Sequence, residues 1–452
     1  MIDQKSFYIF ETMDKEFLFF PYTLTIFKID KEVSEILSKY DNYITCNEEI
    51  VNVLKEVKNE EEIELMKSLL PYIQQEYKIR NIIKEIEKNK TLKKDIDTLQ
   101  VNTSYSCNMR CKYCFAEDGS HGKSGFMKLE DIHKVYDFIN KNNHKDTFKV
   151  VFVGGEPLIN KKYVYEFINK EEECNANLSY IIITNGTLID DKIVDLMKNK
   201  NLMLNISIDS NDKKINDYLR PMQGENSSYS TLIDDKFVMM EDVKEKISIN
   251  CTVTKNNLHI SEMFKEFYKN GFSKFHFQEV VTENSNLKID DKDADILIDE
   301  YKKITQYLTK IVDRNETINC YPLTDGLLEL EKRQPKYCKC TTMENIIAVS
   351  PDFKLYPCDM LMWDDYEIGT VEEGFNEDKI VTLNKQVREE RKLCDNCWNK
   401  YMCGGLCLSE VNALSEEQKR ITCKIKREIS KCKIYLYTYI MENNPSYMNK
   451  FL

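Results

Sequence analysis

Between Leu99 and Glu279 the sequence alternates six times between a short run rich in β-branched residues and a longer amphipathic stretch, and no other feature narrows the fold as far. The strand-like runs are VNTS, FKVVFV at 148–153, YIIIT at 180–184, LMLNISID at 202–209, ISINCTVT at 247–254 and FSKFHFQE at 272–279. Helical periodicity lies between them at 128–141, 160–170, 189–199, near 230–243 and at 260–270. Strands of this kind separated by helices predict a parallel sheet covered on both faces. Six units suit a partial (β/α)6 TIM-like barrel better than a closed ring of eight. Ligands of such sheets bind beyond the carboxyl ends of the strands. The chemically informative residues fall there: Cys107 follows the first strand, Gly154-Gly155-Glu156-Pro157 the second, Thr184-Asn185-Gly186 the third, and Ser207 to Asp209 closes the fourth.

The first of these loops carries Cys107, Cys111 and Cys114 in a CxxxCxxC spacing. Protein iron-sulfur clusters normally take four cysteines, so three local thiolates leave one iron open to a small molecule. By chance the spacing is expected in only about 0.02 of chains this rich in cysteine. The 16 cysteines are unevenly spread, with one before Cys107, five from Cys107 to Cys251 and ten from Cys320 to Cys432. Length and content, 452 residues with 42% hydrophobic, fit two or three ordinary domains. The net charge of -12 argues against nucleic acid as a partner. An N-terminus with charges scattered through its apolar run, and the lack of any long uncharged stretch, argue against export and against a membrane span. The expectation is a cytoplasmic protein, whose reduced cysteines serve as metal ligands more readily than as disulfides.

The three-cysteine loop, with the aromatic Phe115 after its last Cys, and the GGEP turn at Gly154, Gly155, Glu156 and Pro157 resemble the radical S-adenosylmethionine superfamily. That resemblance implies a [4Fe-4S] cluster on Cys107, Cys111 and Cys114. Its free iron would chelate S-adenosylmethionine, and one electron would split the sulfonium to a 5'-deoxyadenosyl radical. It further implies that the GGEP turn meets the ligand's amino group, with glycine backbone approaching closely and Glu156 adding negative charge. Ser207 and Arg220 would hold the methionine carboxylate, and Asp209 with Asn185 would line the nucleoside pocket.

Cys394, Cys397, Cys403, Cys407 and Cys423, preceded by Cys340 and Cys358, are similar in spacing to the SPASM extension of that superfamily. Zinc is the alternative for CxxC pairs. The resemblance implies two auxiliary [4Fe-4S] clusters, three clusters in all. Cys340, Cys358, Cys407 and, as the expected fourth ligand, Cys338 would hold one; Cys394, Cys397, Cys403 and Cys423 would hold the other. Phe353 stands where the family has a glycine, so a different local turn is expected. Asp359, directly after Cys358, is the candidate general base, since formylglycine-forming relatives use an Asp in that place. Cys46, Cys174, Cys251, Cys320 and Cys432 match nothing and are expected to be buried reduced thiols.

The N-terminal region has strand-like stretches at Phe7 to Thr12, Glu16 to Pro21 and Thr23 to Lys28. A helix capped by Asp30 follows, then one at Glu48 to Val57 with a Thr45/Glu48 capping box, and one at Glu60 to Tyr77. This winged-helix-like α+β pattern resembles the PqqD-like recognition element of peptide maturases, where a leader pairs with an exposed strand edge. The expected organisation is a recognition module over 1–80, a linker helix over 81–98, the partial barrel over 99–310, and a C-terminal cysteine-rich iron-sulfur domain over 311–452 ending in a helix. The implied activity is modification of a precursor peptide carrying a leader, by hydrogen abstraction and cysteine thioether formation. An external electron donor such as flavodoxin or ferredoxin would serve it. Sulfatase maturation, carbon-carbon cross-linking and epimerisation are rival chemistries, and an iron-sulfur electron-transfer protein is the rival outside catalysis.

Overall fold

The computed structural model describes residues 5–39, 59–89, 95–224 and 226–451. Three antiparallel strands open the chain: β1 (Tyr8–Thr12), β2 (Lys15–Phe20) and β3 (Thr25–Ile29). Alternation along β2 gives each face of this small sheet its own core. Leu18 and Phe20 pack with Leu37 of α1 (Lys31–Ser38) and with Met66, Leu69 and Ile73 of α2 (Glu60–Asn89). Phe17 and Phe19 join the large core of the rest of the molecule, where Phe10 and Phe19 meet Trp398. Asp30 caps α1 by accepting the Val33 N–H at 2.8 Å. α2 is one helix of 30 residues, continuing without a break past residue 80 into the stretch where a separate linker helix was expected. The expected helix at 48–57, its capping box and Cys46 lie outside the described residues.

The six expected strands are β4 (Thr98–Asn102), β5 (Thr147–Val153), β6 (Asn177–Thr184), β7 (Leu202–Ser207), β8 (Ile247–Val253) and β9 (Lys274–Glu279), parallel and neighbouring in chain order. The fold is mixed α/β around a parallel sheet. Two strands extend it beyond the sequence pattern. The three-residue β10 (Asn319–Tyr321) adds parallel to β9, and β11 (Ile346–Val349), from the cysteine-rich region, adds parallel to β4. β12 (Lys354–Tyr356) turns back on β11, and two short strands, β13 (Gly369–Thr370) and β14 (Gly374–Phe375), complete an 11-stranded sheet. The C-terminal region is thereby hydrogen-bonded to the first strand of the barrel. α3 (Ile132–Asn142), α4 (Lys161–Asn169), α5 (Asp191–Asn199) and α6 (Lys213–Leu219) follow β4 to β7. The stretch expected to be helical near 230–243 is helical from Ser228 to Met239, with a π-helical segment at Thr231–Lys236, and the helix ends where Met240 leaves helical φ/ψ.

α7 (Ile260–Lys269) and the long α8 (Asp291–Asp313) close the barrel exterior, and α8 packs along the 28-residue α9 (Glu416–Asn443), which carries Cys423. Among the described residues no helix is long and apolar enough to cross a membrane.

Candidate active site

Parallel strands put all their carboxyl ends on one rim, and the loop holding Cys107, Cys111 and Cys114 lies across it. Two segments clamp that loop. On one side Gly155 N–H and Glu156 N–H donate to the carbonyls of Ser104 and Ser106 at 2.9 and 2.8 Å. A Cβ on Gly155 would stand 2.4 Å from the Ser106 carbonyl oxygen and 2.5 Å from that of Gly119, so only glycine lets the GGEP turn and the cysteine loop pass this closely. Gly154 adds a φ of +151°, with Ser104 O 2.6 Å from where its Cβ would be. On the other side Arg110 and Lys112 N–H donate to Pro221 and Leu219 carbonyls, both at 2.9 Å. The segment after α6 is thereby drawn over the loop, and Arg220 with it.

Arg220 is buried, and its guanidinium donates to the Tyr113 hydroxyl. That hydroxyl donates in turn to Asp209 Oδ2 at 2.5 Å, and Arg220 Nη1 is 3.9 Å from the same carboxylate. Asp209 Oδ1 accepts the Thr252 N–H at 3.0 Å. The residue expected in the nucleoside pocket therefore sits behind the cavity wall, holding Arg220 through Tyr113. Pro157 likewise lies behind the wall, at the start of a short helical turn.

Glu156 is also spent internally: Oε1 accepts from Thr184 Oγ1 at 2.7 Å and Leu158 N–H at 3.0 Å, and Oε2 from Asn185 N–H at 2.7 Å. Burial pushes its carboxyl up, and these three donors pull against that shift. Asn185 reaches the cysteine loop, donating to Asn108 Oδ1 at 2.8 Å. Gly154, Gly155, Glu156, Asn185, Ser207 and Arg220 all line one cavity of about 670 Å³ with the three thiols. Tyr113 lines it too and was not singled out from sequence, where the aromatic signal was read on Phe115. Phe115 is 42% exposed, whereas Tyr113 is the aromatic that ties the loop to charged partners.

The same cavity continues to a second set of thiols. The β11–β12 hairpin brings Cys340, before its first strand, beside Cys358, after its second, and the Thr342 hydroxyl closes the end on the Pro357 carbonyl. Cys407 joins them, lying in the field of both Cys340 and Cys358, and Cys338 lies in the field of Cys340. Gly404 explains how, since its φ of +76° and the Cys338 carbonyl carbon 2.5 Å from its missing Cβ let the 400–407 segment lie against residues 338–339. Cys394, Cys397, Cys403 and Cys423 form a separate group by the same criterion. Burial pushes Cys107 up to about 12 and Cys111 and Cys340 to about 11, so these thiols are protonated until a metal displaces the proton. Among the described residues no three Cys, His, Asp or Glu side chains converge closely enough for a single ion.

Asp359, directly after Cys358, lines the same cavity. Its Oδ1 accepts from Gln100 Nε2 at 3.1 Å and its N–H donates to Gln100 Oε1 at 2.9 Å, so a residue in the middle of β4 holds it from both sides. Burial pushes its carboxyl up. Phe353, expected to change its turn, keeps the glycine-type backbone instead, with φ +62° and its N–H donating to Ser350 O at 2.9 Å. Cys251, Cys320 and Cys432 are buried free thiols, and Cys174 is only half-buried.

Residues 101–254 match the family model described as the Radical SAM superfamily. The chain carries a Radical SAM domain, whose family implies S-adenosylmethionine and a [4Fe-4S] cluster, and the three-thiol loop has the donors for that cluster. The chain is 26% identical over 376 residues to the cysteine-type anaerobic sulfatase-maturating enzyme of Clostridium novyi (strain NT), covering 77% of this chain and 97% of that protein. Its fold is similar to that of native anSMEcpe with bound AdoMet and Kp18Cys peptide, with TM-score 0.63, 20% identity, and 76% and 99% of the two chains covered. It is also similar to Streptococcus suis SuiB bound to S-adenosylmethionine, with TM-score 0.53, 15% identity, and 92% and 98% covered.

Proposed function

We propose that this Radical SAM domain serves a peptide-modifying enzyme which abstracts a hydrogen from a cysteine-rich precursor peptide and forms a thioether cross-link. One observation carries the reading: a single cavity joins the three-thiol loop to the Cys340/Cys358/Cys407 set, with the Asp359 carboxylate on its wall and held by Gln100. S-adenosylmethionine bound at the open corner of the first cluster supplies the hydrogen-abstracting chemistry. Arg220, oriented by Tyr113 and Asp209, and Ser207 hold its carboxylate, while Asn185 borders its nucleoside.

Asp359 accepts the proton of the attacking peptide thiol, a role for which a carboxyl pushed up by burial is suited. The two cysteine sets of the C-terminal region, with Cys338 completing the nearer one, would hold auxiliary [4Fe-4S] clusters, which would supply an acceptor for the electron released on carbon-sulfur bond formation. The three-stranded sheet at the N-terminus is the PqqD-like element that offers a strand edge to the leader. Flavodoxin or ferredoxin supplies electrons in the cytoplasm. The same Asp359 favours a second reading, formylglycine formation on a sulfatase peptide; the Clostridium novyi relative is named as sulfatase-maturating.

Reduced, reconstituted protein incubated with S-adenosylmethionine and a cysteine-rich candidate peptide should release 5'-deoxyadenosine and leave the peptide two hydrogens lighter by mass spectrometry. No 5'-deoxyadenosine would sink the enzyme reading; an untouched candidate with formylglycine on a sulfatase peptide would transfer it to the second. Asp359→Asn should keep 5'-deoxyadenosine release while peptide product falls by roughly 10²- to 10⁴-fold, the span of a lost general base.

A further inference from the structure

The run Cys338-Lys339-Cys340 places a lysine between two cysteines, and Lys339 and Cys340 both line the cavity. Lys339 Nζ lies 2.9 Å from Glu410 Oε1, and Lys426 Nζ lies 2.9 Å and 3.0 Å from the two oxygens of the same carboxylate. Glu410 is buried and also accepts the N–H of Cys407 at 2.8 Å. Lys426 stands one helical turn beyond Cys423 on α9. The three side chains therefore tie together the segments of Cys338 and Cys340, of Cys407, and of Cys423, drawing on both cysteine groups.

Their charges do not cancel. Two ammoniums face one carboxylate, and a net buried charge is costly unless an anion answers it. The groups within the field of these lysines include cysteine thiols, Cys407 and Cys340 for Lys339 and Cys423 for Lys426, which would become anions on binding a metal. The pattern recurs on the same cavity wall, where Asp325 faces Lys336 at 3.2 Å and Lys433 at 3.7 Å.

We infer that Lys339, Glu410 and Lys426 form a positioning network that holds one uncompensated positive charge between the two auxiliary cluster sites and raises their reduction potentials. The inference rests on the proposal that both cysteine groups hold iron-sulfur clusters. A fixed positive charge stabilises the more negative, reduced state of a cluster, so its removal makes reduction harder. Glu410 acts in the opposite sense by masking part of that charge.

The test is an EPR-monitored redox titration of the reconstituted full chain, following the centres whose signals do not change on adding S-adenosylmethionine. Lys339→Met should shift at least one of them to lower potential, Lys339→Arg should leave it near the wild-type value, and Glu410→Gln should shift it upward. Should Lys339→Met lose iron outright, Lys339→Arg restoring both iron and potential supports the charge role, and Lys339→Arg behaving like Lys339→Met overturns it. Potentials unmoved in all variants, or moved in one direction by Lys339→Met and Glu410→Gln alike, also overturn it. Iron content separates the two proposals: about twelve irons per wild-type chain with unmoved potentials sinks this inference alone, whereas about four sinks the auxiliary-cluster reading with it.

Discussion

At the scale of single residues, the site depends on groups that hold its charged side chains in place. Tyr113 places one hydroxyl between Asp209 and Arg220, so removing it leaves a buried guanidinium short of a partner. Tyr113→Phe should weaken S-adenosylmethionine binding about 10-fold, in line with 1–3 kcal/mol for an unsatisfied buried partner. Isothermal titration of the reconstituted protein reads this directly, and an unchanged Kd would mean Arg220 needs no such anchor.

A second buried carboxylate acts far from the barrel rim. Glu76 of α2 accepts the N–H groups of Tyr22 and Thr23 at 2.6 and 2.8 Å, and burial pushes it from its usual 4.5 up to about 7. The folded state therefore holds this proton more tightly than the unfolded chain does. Its contribution is complete below pH 4.5 and is lost as pH rises through 7, about 3 kcal/mol across the window. Urea midpoints measured from pH 4.5 to 7.5 should fall with pH in the wild type and flatten in Glu76→Gln.

At the scale of elements, the close pass between the GGEP turn and the cysteine loop tolerates no added side chain on Gly155. A methyl on Gly155 meets two carbonyl oxygens of the cysteine-bearing segment, and Gly155→Ala should cost about 1–3 kcal/mol as overpacking does. The visible result should be a loss of iron at the three-thiol site with the remaining sheet intact, by iron analysis and circular dichroism. The barrel strands were readable because each is a short β-branched run with an amphipathic helix after it, and the cysteine sets because their spacing is particular. β11 was not, because its pairing with β4 joins segments far apart in the chain and four residues carry little periodic signal. β10 was missed for the same shortness. Asp209 was read as facing the ligand because a polar residue at a strand end gives no sign of which way it turns. The split expected in α2 followed a change from apolar to charge-dense sequence, yet the helix tolerates both. Phe353 carries the reverse lesson: glycine's backbone can persist after its side chain has changed.

At the scale of the whole molecule, the N-terminal sheet belongs to two cores at once. Phe17 and Phe19 are buried in the large core, Leu18 and Phe20 in the small one, so the module cannot separate without exposing the wall on which Trp398 and Tyr401 sit. Calorimetry should show one transition for the N-terminal sheet and the cysteine-rich region together. Phe19→Ala should lower that single Tm, at a cost of about 3–5 kcal/mol, without splitting off a separate low-temperature melt. Two independent melts would mean the shared face contributes little.

The strand that β11 lends to β4 also orders events during synthesis. As the ribosome extends the chain, β4 emerges early and keeps one edge bare until translation has passed Val349. Metal delivery to the rim must therefore either wait for the late segment or meet a nascent sheet still open to its neighbours, and a premature stop anywhere before that strand would leave a sticky flank rather than a shorter enzyme.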